Sequence, residues 1–458
     1  VSVFFARLAP AVVASFELGC APAVLPAPAA PRTVMETERV TLLSAEASPV
    51  GFDRIAAFPP PGWHVPRQPE LSPDGKLVTY LASETLGEQM ALFAWDVATR
   101  RHRVLLRASD LEAAAKPMSR EEELRRERQR QRIKGITAYA WAERVNVMLV
   151  PFGGDLFVRA ADGAVRRLTD SAEPELDPKI CADGTAVAFA RGRELFVIDV
   201  ATGRERQLTS GAPAGVTRGQ SDYNGQEELG EPSGHWWSPR CDRIAYLEVD
   251  ERGVAEVPIL GYRDGPDLQA LRYPRAGAEN PVVRLGVLEL ATGRTSWVAL
   301  PATGPSGGES YLARVGWAHD GAALFLERLS RDQRRLALVR VDPASGAARH
   351  LAELEAADWV ELGELFPLRD GSVLWTTRDA QGHRHLERRD GTSGAPLATL
   401  SSGGWDVSRV VGVDETRGRV LFLGNRDAPL DRQLYAVPLA GGAVERLSTE
   451  PGVHDVTG

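Results

Sequence analysis

Cysteine is scarce in this chain. Three cysteines in 458 residues, Cys20, Cys181 and Cys241, are widely spaced and show neither Cys-x-x-Cys nor Cys/His spacing. They imply no disulfide framework, no metal centre and no cofactor. Long apolar runs are also missing: beyond the first 31 residues nothing approaches the roughly 18 to 20 apolar residues of a membrane span. Basic charge is in deficit, with 54 Lys and Arg against 62 Asp and Glu and a net charge of −8. That balance argues against nucleic acid as a partner, since phosphate binding needs a net basic face. The sequence is read as carrying no Gly-x-Ser-x-Gly nucleophile elbow, and the eight histidines and scattered serines suggest no catalytic triad.

What is present is a large apolar fraction, 43% of residues, sufficient for a substantial core. Residues 1–60 read as a separate leader or linker. Residues 3–16 are mostly apolar and Pro/Ala-rich sequence follows, but Arg7 and Glu17 interrupt the apolar run and no basic segment precedes it. A signal-like segment, with Leu18-Gly19-Cys20 as a faint lipoprotein box, and a disordered leader both stay open. The compartment stays open with them; only the signal reading implies export.

From about Gln68 one phrase recurs. An Asp-Gly or Thr-Gly turn separates short apolar strands, as in Ser72-Pro73-Asp74-Gly75, Ala182-Asp183-Gly184, His319-Asp320-Gly321 and Arg369-Asp370-Gly371. These turns supply the positive φ that tight hairpins need, so each unit reads as a β-meander. Seven units start near residues 68, 136, 174, 236, 312, 359 and 407, and an eighth begins at Gly452. The expectation is an all-β fold, a β-propeller of about seven to eight four-stranded blades, the last incomplete.

Two segments break the rhythm. In residues 109–134, Ser119 and Glu122 fit a capping box, and Glu121/Arg125 and Glu122/Arg126 are spaced i,i+4, which predicts a charged helix of about four turns over 120–133. The second, residues 212–235, contains Glu227-Glu228-Leu229-Gly230-Glu231-Pro232-Ser233-Gly234 and runs into His235-Trp236-Trp237-Ser238-Pro239. Adjacent like charges repel, so a buried pair needs a cation to answer it. On a helical turn the two side chains can converge on one protonated amine, and Trp-Trp-Ser-Pro predicts a packed β-element beneath them. Pro232 disfavours helix at Glu231, which implies a short turn.

The Glu-Glu stretch resembles the double-glutamate motif of the dipeptidyl peptidase IV family of serine exopeptidases. Glu127-Arg128-Gln129-Arg130, followed by Gly135-Ile136-Thr137-Ala138-Tyr139, is similar to that family's arginine segment. Further similar phrases are Ala276-Gly277-Ala278-Glu279-Asn280-Pro281, Tyr311-Leu312-Ala313-Arg314, Gly404-Trp405-Asp406-Val407 and Leu434-Tyr435-Ala436-Val437. The resemblance implies that Glu227 and Glu228 grip the α-amine of a peptide substrate, and that Arg128, with Arg126 next, holds its backbone carbonyl. It implies residues 61–458 as the propeller, cut before the α/β-hydrolase domain that carries the family's Ser-Asp-His triad. The parent would release N-terminal dipeptides, often after Pro or Ala, while this chain alone would hydrolyse nothing. Implied partners are peptides with a free N-terminus, the absent hydrolase domain and a second copy, since the family is often dimeric. The alternative is a non-catalytic propeller that binds peptides or proteins.

Overall fold

The computed structural model describes residues 51–57, 65–111, 120–128, 133–261, 267–301 and 309–456. Two compact units are distinguished, Val1–Ile55 and Ala56–Gly458. Of the first, the described part is residue 51 and the single-turn helix Phe52–Ile55. The leader expectations for residues 1–50 lie outside the described residues.

Among the described residues the second unit is a succession of seven sheets, antiparallel apart from one short parallel pairing in the first. Each is a meander whose strands pair in chain order, as in sheet three: Leu176–Ile180, Ala186–Arg191, Glu194–Asp199 and Glu205–Gln207. Sheet one starts at Arg67, sheet two at Ala140, sheet five at Ser310, sheet six at Leu365 and sheet seven at Val407. Sheet four departs from the pattern. Two short strands, Val216–Arg218 and His235–Trp237, share the edge of Arg243–Asp250, and the chain between them forms an insertion. A further hairpin, Glu256–Gly261 with Asp267–Arg272, interrupts the same sheet. No strand of an eighth unit follows Gly452 among the described residues; Val453 instead bridges in parallel to Arg432 of sheet seven.

Both faces of the central strands are buried, and period-2 alternation sends successive side chains to different neighbours. Val187 joins Leu149 and Leu156 of sheet two, while Ala188 joins Ile244 and Leu288 of sheet four. One strand further on, Ile244 faces back to sheet three and Ala245 forward to Leu324 and Val339 of sheet five. The same rule places Leu81 on Met148, Leu336 on Trp375, and Leu374 on Phe422 and Tyr435. Each sheet thus packs on the next in chain order, the arrangement of propeller blades. Each such Val, Leu, Ile, Met or Phe side chain contributes about 1.5 to 3 kcal/mol on burial.

The repeated turns are built as their sequences imply. Asp74 Oδ1 accepts from Ser72 Oγ (2.8 Å) and the Lys76 N–H (3.2 Å), and Gly75 takes φ +70°. Gly184, Gly321 and Gly371 occupy the same left-handed position in sheets three, five and six, with φ +74°, +68° and +83°. In sheet four that position is Cys241, at φ +59°.

The charged helix is shorter than expected. It covers Arg120–Arg128, nine residues, and no long helical insertion is present among the described residues. Ile133 is buried outside it, and Lys134 and Gly135 pair in parallel with Gln89 and Met90 of sheet one. Pairing with the sheet takes the Lys134 and Ile136 N–H groups, which donate to the Glu88 and Met90 carbonyls, so they are lost to any helical ladder. Ser119 of the expected capping box, and the Glu121, Glu122 and Arg125 side chains of the i,i+4 pairs, lie outside what is described.

Candidate functional site

Glu227 and Glu228 end a single wide turn, Asn224–Glu228, closed by the Leu229 N–H donating to the Asn224 carbonyl at 3.0 Å. Such i→i+5 turns are rare and often mark functional sites. The local sequence dictates this one. The half-buried Asp222 carboxylate accepts the Asn224 N–H at 3.2 Å, and the Gln226 amide donates to the Ser221 carbonyl at 2.6 Å. Ser221 Oγ and the Gly225 carbonyl then tie the turn to the Glu231 backbone, each at 2.8 Å. Gly225 is required here, because a Cβ would lie 2.2 Å from Ser221 Oγ. Gly230, at φ +64°, reverses the chain ahead of Pro232, in keeping with the short turn expected from that proline.

Leu229 anchors the turn to the next blade. Its side chain is buried among Ala313, Leu329, Leu336 and Leu338 of sheet five, and its carbonyl accepts from Arg314 Nη1 at 2.7 Å. On the other side the chain enters His235–Trp237. The Trp237 indole donates to the Lys179 carbonyl at 2.9 Å, and the Lys179 ammonium lies 5.3 Å from the Trp236 ring. The packed element under the pair is therefore a three-residue strand wedged between sheets three and five, where the Trp317 indole donates to the Trp236 carbonyl.

The carboxylate pair itself meets solvent. Both side chains are exposed, and among the described residues neither has an ion-pair or hydrogen-bond partner. Water screens their repulsion, so no cation is needed to keep the pair in place. Arg128 does reach this site, but through other groups. Its Nη1 donates to Gln226 Oε1 at 3.2 Å and its guanidinium lies 5.3 Å from the Tyr223 ring centroid. Arg126 is half-buried on the same helix, where positions i and i+2 sit about 200° apart around the axis.

Several groups join the site without having stood out in the sequence. The Tyr223 and Tyr273 rings meet edge to face at 4.8 Å. Burial, reinforced by the Tyr273 hydroxyl and by the charges of Glu227 and Glu228, pushes the Tyr223 phenol up to about 12. Beneath it, burial raises the carboxyls of Asp222 and Glu251, and the Arg128 charge pulls both the other way. Asn224 Nδ2 contacts Asn280 Oδ1 at 3.4 Å, and Asn280 Nδ2 donates to the Tyr311 hydroxyl at 3.3 Å. The Asn280 and Tyr311 phrases were legible as segments, while Tyr223, Tyr273 and Glu251 carry no local signal. Together they form a rim of two exposed carboxylates, three phenols, one guanidinium and one carboxamide pair, suited to binding a cation that carries further hydrogen-bonding groups.

The string Gly304-Pro305-Ser306-Gly307-Gly308 does satisfy Gly-x-Ser-x-Gly, so the motif is present in the letters of the sequence. It lies outside the described residues.

Residues 151–457, more than half of the chain, match the family described as Dipeptidyl peptidase IV (DPP IV) N-terminal region. A probable dipeptidyl peptidase 4 of Neosartorya fischeri is 29% identical over 272 residues, covering 56% of this chain and 35% of the relative. Human dipeptidyl peptidase 8 is 26% identical over 429 residues, covering 73% of this chain and 47% of the relative. The chain thus spans about a third to a half of the length of these curated relatives. The crystal structure of Porphyromonas gingivalis dipeptidyl peptidase 4 superposes with a TM-score of 0.69 at 23% identity, over 85% of this chain and 54% of that one. That likeness supports the fold, and the family match extends it to descent. Through residues 151–457, which run from the second sheet to the seventh, this chain belongs to the dipeptidyl peptidase IV N-terminal region family.

Proposed function

We propose that the turn Asn224–Glu228 binds the protonated α-amine of a peptide through Glu227 and Glu228, with Arg128 orienting the peptide beside it. The propeller in this reading gates and measures substrates for a serine peptidase domain of a longer parent, which removes N-terminal dipeptides. The observation that carries it is the pair of exposed carboxylates on a turn locked to two sheets. A protonated amine offers three donors and a full charge, which two fixed acceptors satisfy better than water-exposed mobile ones. Pre-set geometry of this kind turns binding into rate when a nucleophile is held at a fixed distance from the clamp.

The test is a fluorescence titration of the chain with a short Pro-containing peptide and its N-acetylated twin. The free peptide binds and the acetylated one does not; equal binding of both sinks the reading. Arg128→Ala is expected to weaken the free peptide about fivefold, roughly 1 kcal/mol, while the discrimination against acetylation survives. Arg126→Ala, about 200° around the helix axis from Arg128, is expected to change affinity less than about twofold.

A further inference from the structure

Cys181 and Cys241 are remote in sequence but meet where sheet three packs on sheet four, at the opposite end of strands Leu176–Ile180 and His235–Trp237 from the glutamate turn. Each replaces a residue that the repeat uses elsewhere. Ser72 Oγ bonds Asp74 Oδ1 at 2.8 Å in sheet one, and Cys181 Sγ takes that role toward Asp183 Oδ1, also at 2.8 Å. Cys241 stands at the left-handed turn position that is glycine in sheets one, three, five and six. A side chain there is strained, and this one points its sulfur at the turn of the preceding sheet. As a result both sulfurs and an Asp183 carboxylate oxygen lie within 4.8 Å of one another.

We infer that Cys181, Asp183 and Cys241 form a binding site for a soft divalent metal ion of the zinc class, with the fourth position open to water. Zinc bonds of about 2.3 Å to sulfur and 2.0 Å to oxygen set tetrahedral donors about 3.3 to 3.8 Å apart, so the 2.8 Å Cys181–Asp183 pair opens when its thiol gives up the proton and side-chain rotation brings the three donors to that spacing. The supporting shell is in place. Thr185 donates its N–H at 3.0 Å and its hydroxyl at 2.7 Å to Asp183 Oδ1, fixing the carboxylate. Arg144 Nη2 lies 4.0 Å from Cys241 Sγ; the Arg144 side chain is pinned through Nη1 to the Pro239 carbonyl and its backbone N–H to the Ala182 carbonyl. Two thiolates and one carboxylate carry three negative charges, which a divalent ion and the Arg144 guanidinium together neutralise. Outer groups of this kind orient ligands and tune affinity. Cys181 is buried and Cys241 half-buried, so the cluster is reachable from the Cys241 side.

The test uses the full chain, reduced and stripped with a chelator, then titrated with Co²⁺ and afterwards Zn²⁺. One equivalent of Co²⁺ gives the intense near-ultraviolet thiolate-to-cobalt absorption, and Zn²⁺ displaces it. Cys241→Gly restores the glycine of the sister turns and Cys181→Ser the serine of sheet one. Both variants therefore retain a cooperative melt while losing the absorption. Thr185→Val weakens the ion by about 10- to 100-fold, and Cys20→Ser leaves binding unchanged. The inference is overturned if the wild-type chain gives no such absorption, if Cys241→Gly keeps it, or if the unreduced chain weighs two hydrogens less and has lost both thiols to a disulfide.

Discussion

Replacing Glu227 or Glu228 by Ala should weaken binding of a free-amine peptide by about 10- to 100-fold, and replacing both should leave it no better than its acetylated twin. The magnitude follows from the worth of a hydrogen bond to a charged group, about 1.5 to 3 kcal/mol. Neither carboxylate holds any part of the fold together: both are exposed, and among the described residues neither has a hydrogen-bond or ion-pair partner. The variants should therefore melt as the parent chain does. A binding loss accompanied by a large drop in melting temperature would mean that the turn had collapsed, and would not support a direct contact. The pH profile adds an independent check. A peptide amine titrates near 7.7 to 8.0, so affinity should hold below that range and decline above it as the amine loses its charge. An affinity indifferent to pH between 7 and 9 would contradict an amine as the bound group.

Glu327 should make folding stability fall as pH rises. It is buried at the interface of sheets five and six, with Oε1 accepting the Trp375 indole N–H at 2.6 Å and Oε2 without a partner among the described residues. Burial pushes its carboxyl from the ordinary 4.5 up to about 7. Between those two values the native chain holds a proton that the unfolded chain has released. Stability therefore decreases across that window, by about 3 kcal/mol. His235 opposes it: buried and neutral, with its imidazole lowered to about 4 from 6.5, it makes stability rise over its own window. Half-buried Asp222, Glu231 and Glu251 are also raised and act in the direction of Glu327. The clean readout is thus the difference between the wild type and Glu327→Gln in urea unfolding from pH 4.5 to 7.5. The glutamine keeps an acceptor for Trp375, and any fixed cost of its amide is independent of pH. The variant should gain on the wild type by about 3 kcal/mol across the window, and a constant difference would show that Glu327 stays ionised when folded.

How much of this was legible in the sequence depends on whether the signal was local. The meander repeat was legible, because Asp-Gly turns and alternating apolar strands are local patterns that neighbouring blades reinforce. The glutamate turn was legible for the same reason: its closing bonds join residues 221–231 to one another. The length of the helix beginning at Arg120 was not. Its charge pattern permits four turns, but pairing of Lys134 and Gly135 with Gln89 and Met90 claims the backbone downstream. The rim residues Tyr223, Tyr273 and Glu251 come together through the fold and have no spacing that announces them. Cys181 and Cys241 are the sharpest case. Each looks inert alone, and only superposing one blade's turn on another shows that Cys181 stands where sheets one and four have serine, and Cys241 where sheets one, three, five and six have glycine.

One further consequence comes from Leu229, the residue after the pair. In the proposed reading, recognition and anchorage sit on consecutive positions of a single turn, with Glu227 and Glu228 exposed and Leu229 buried against the neighbouring blade. The two roles are therefore separable by design. The charged tip could be rewritten to lysines, or to a charge-neutral pair, without disturbing the plug beneath it. The propeller is in this sense a socket whose contact can be exchanged, and ligand preference could drift or be engineered there while the scaffold stays unchanged.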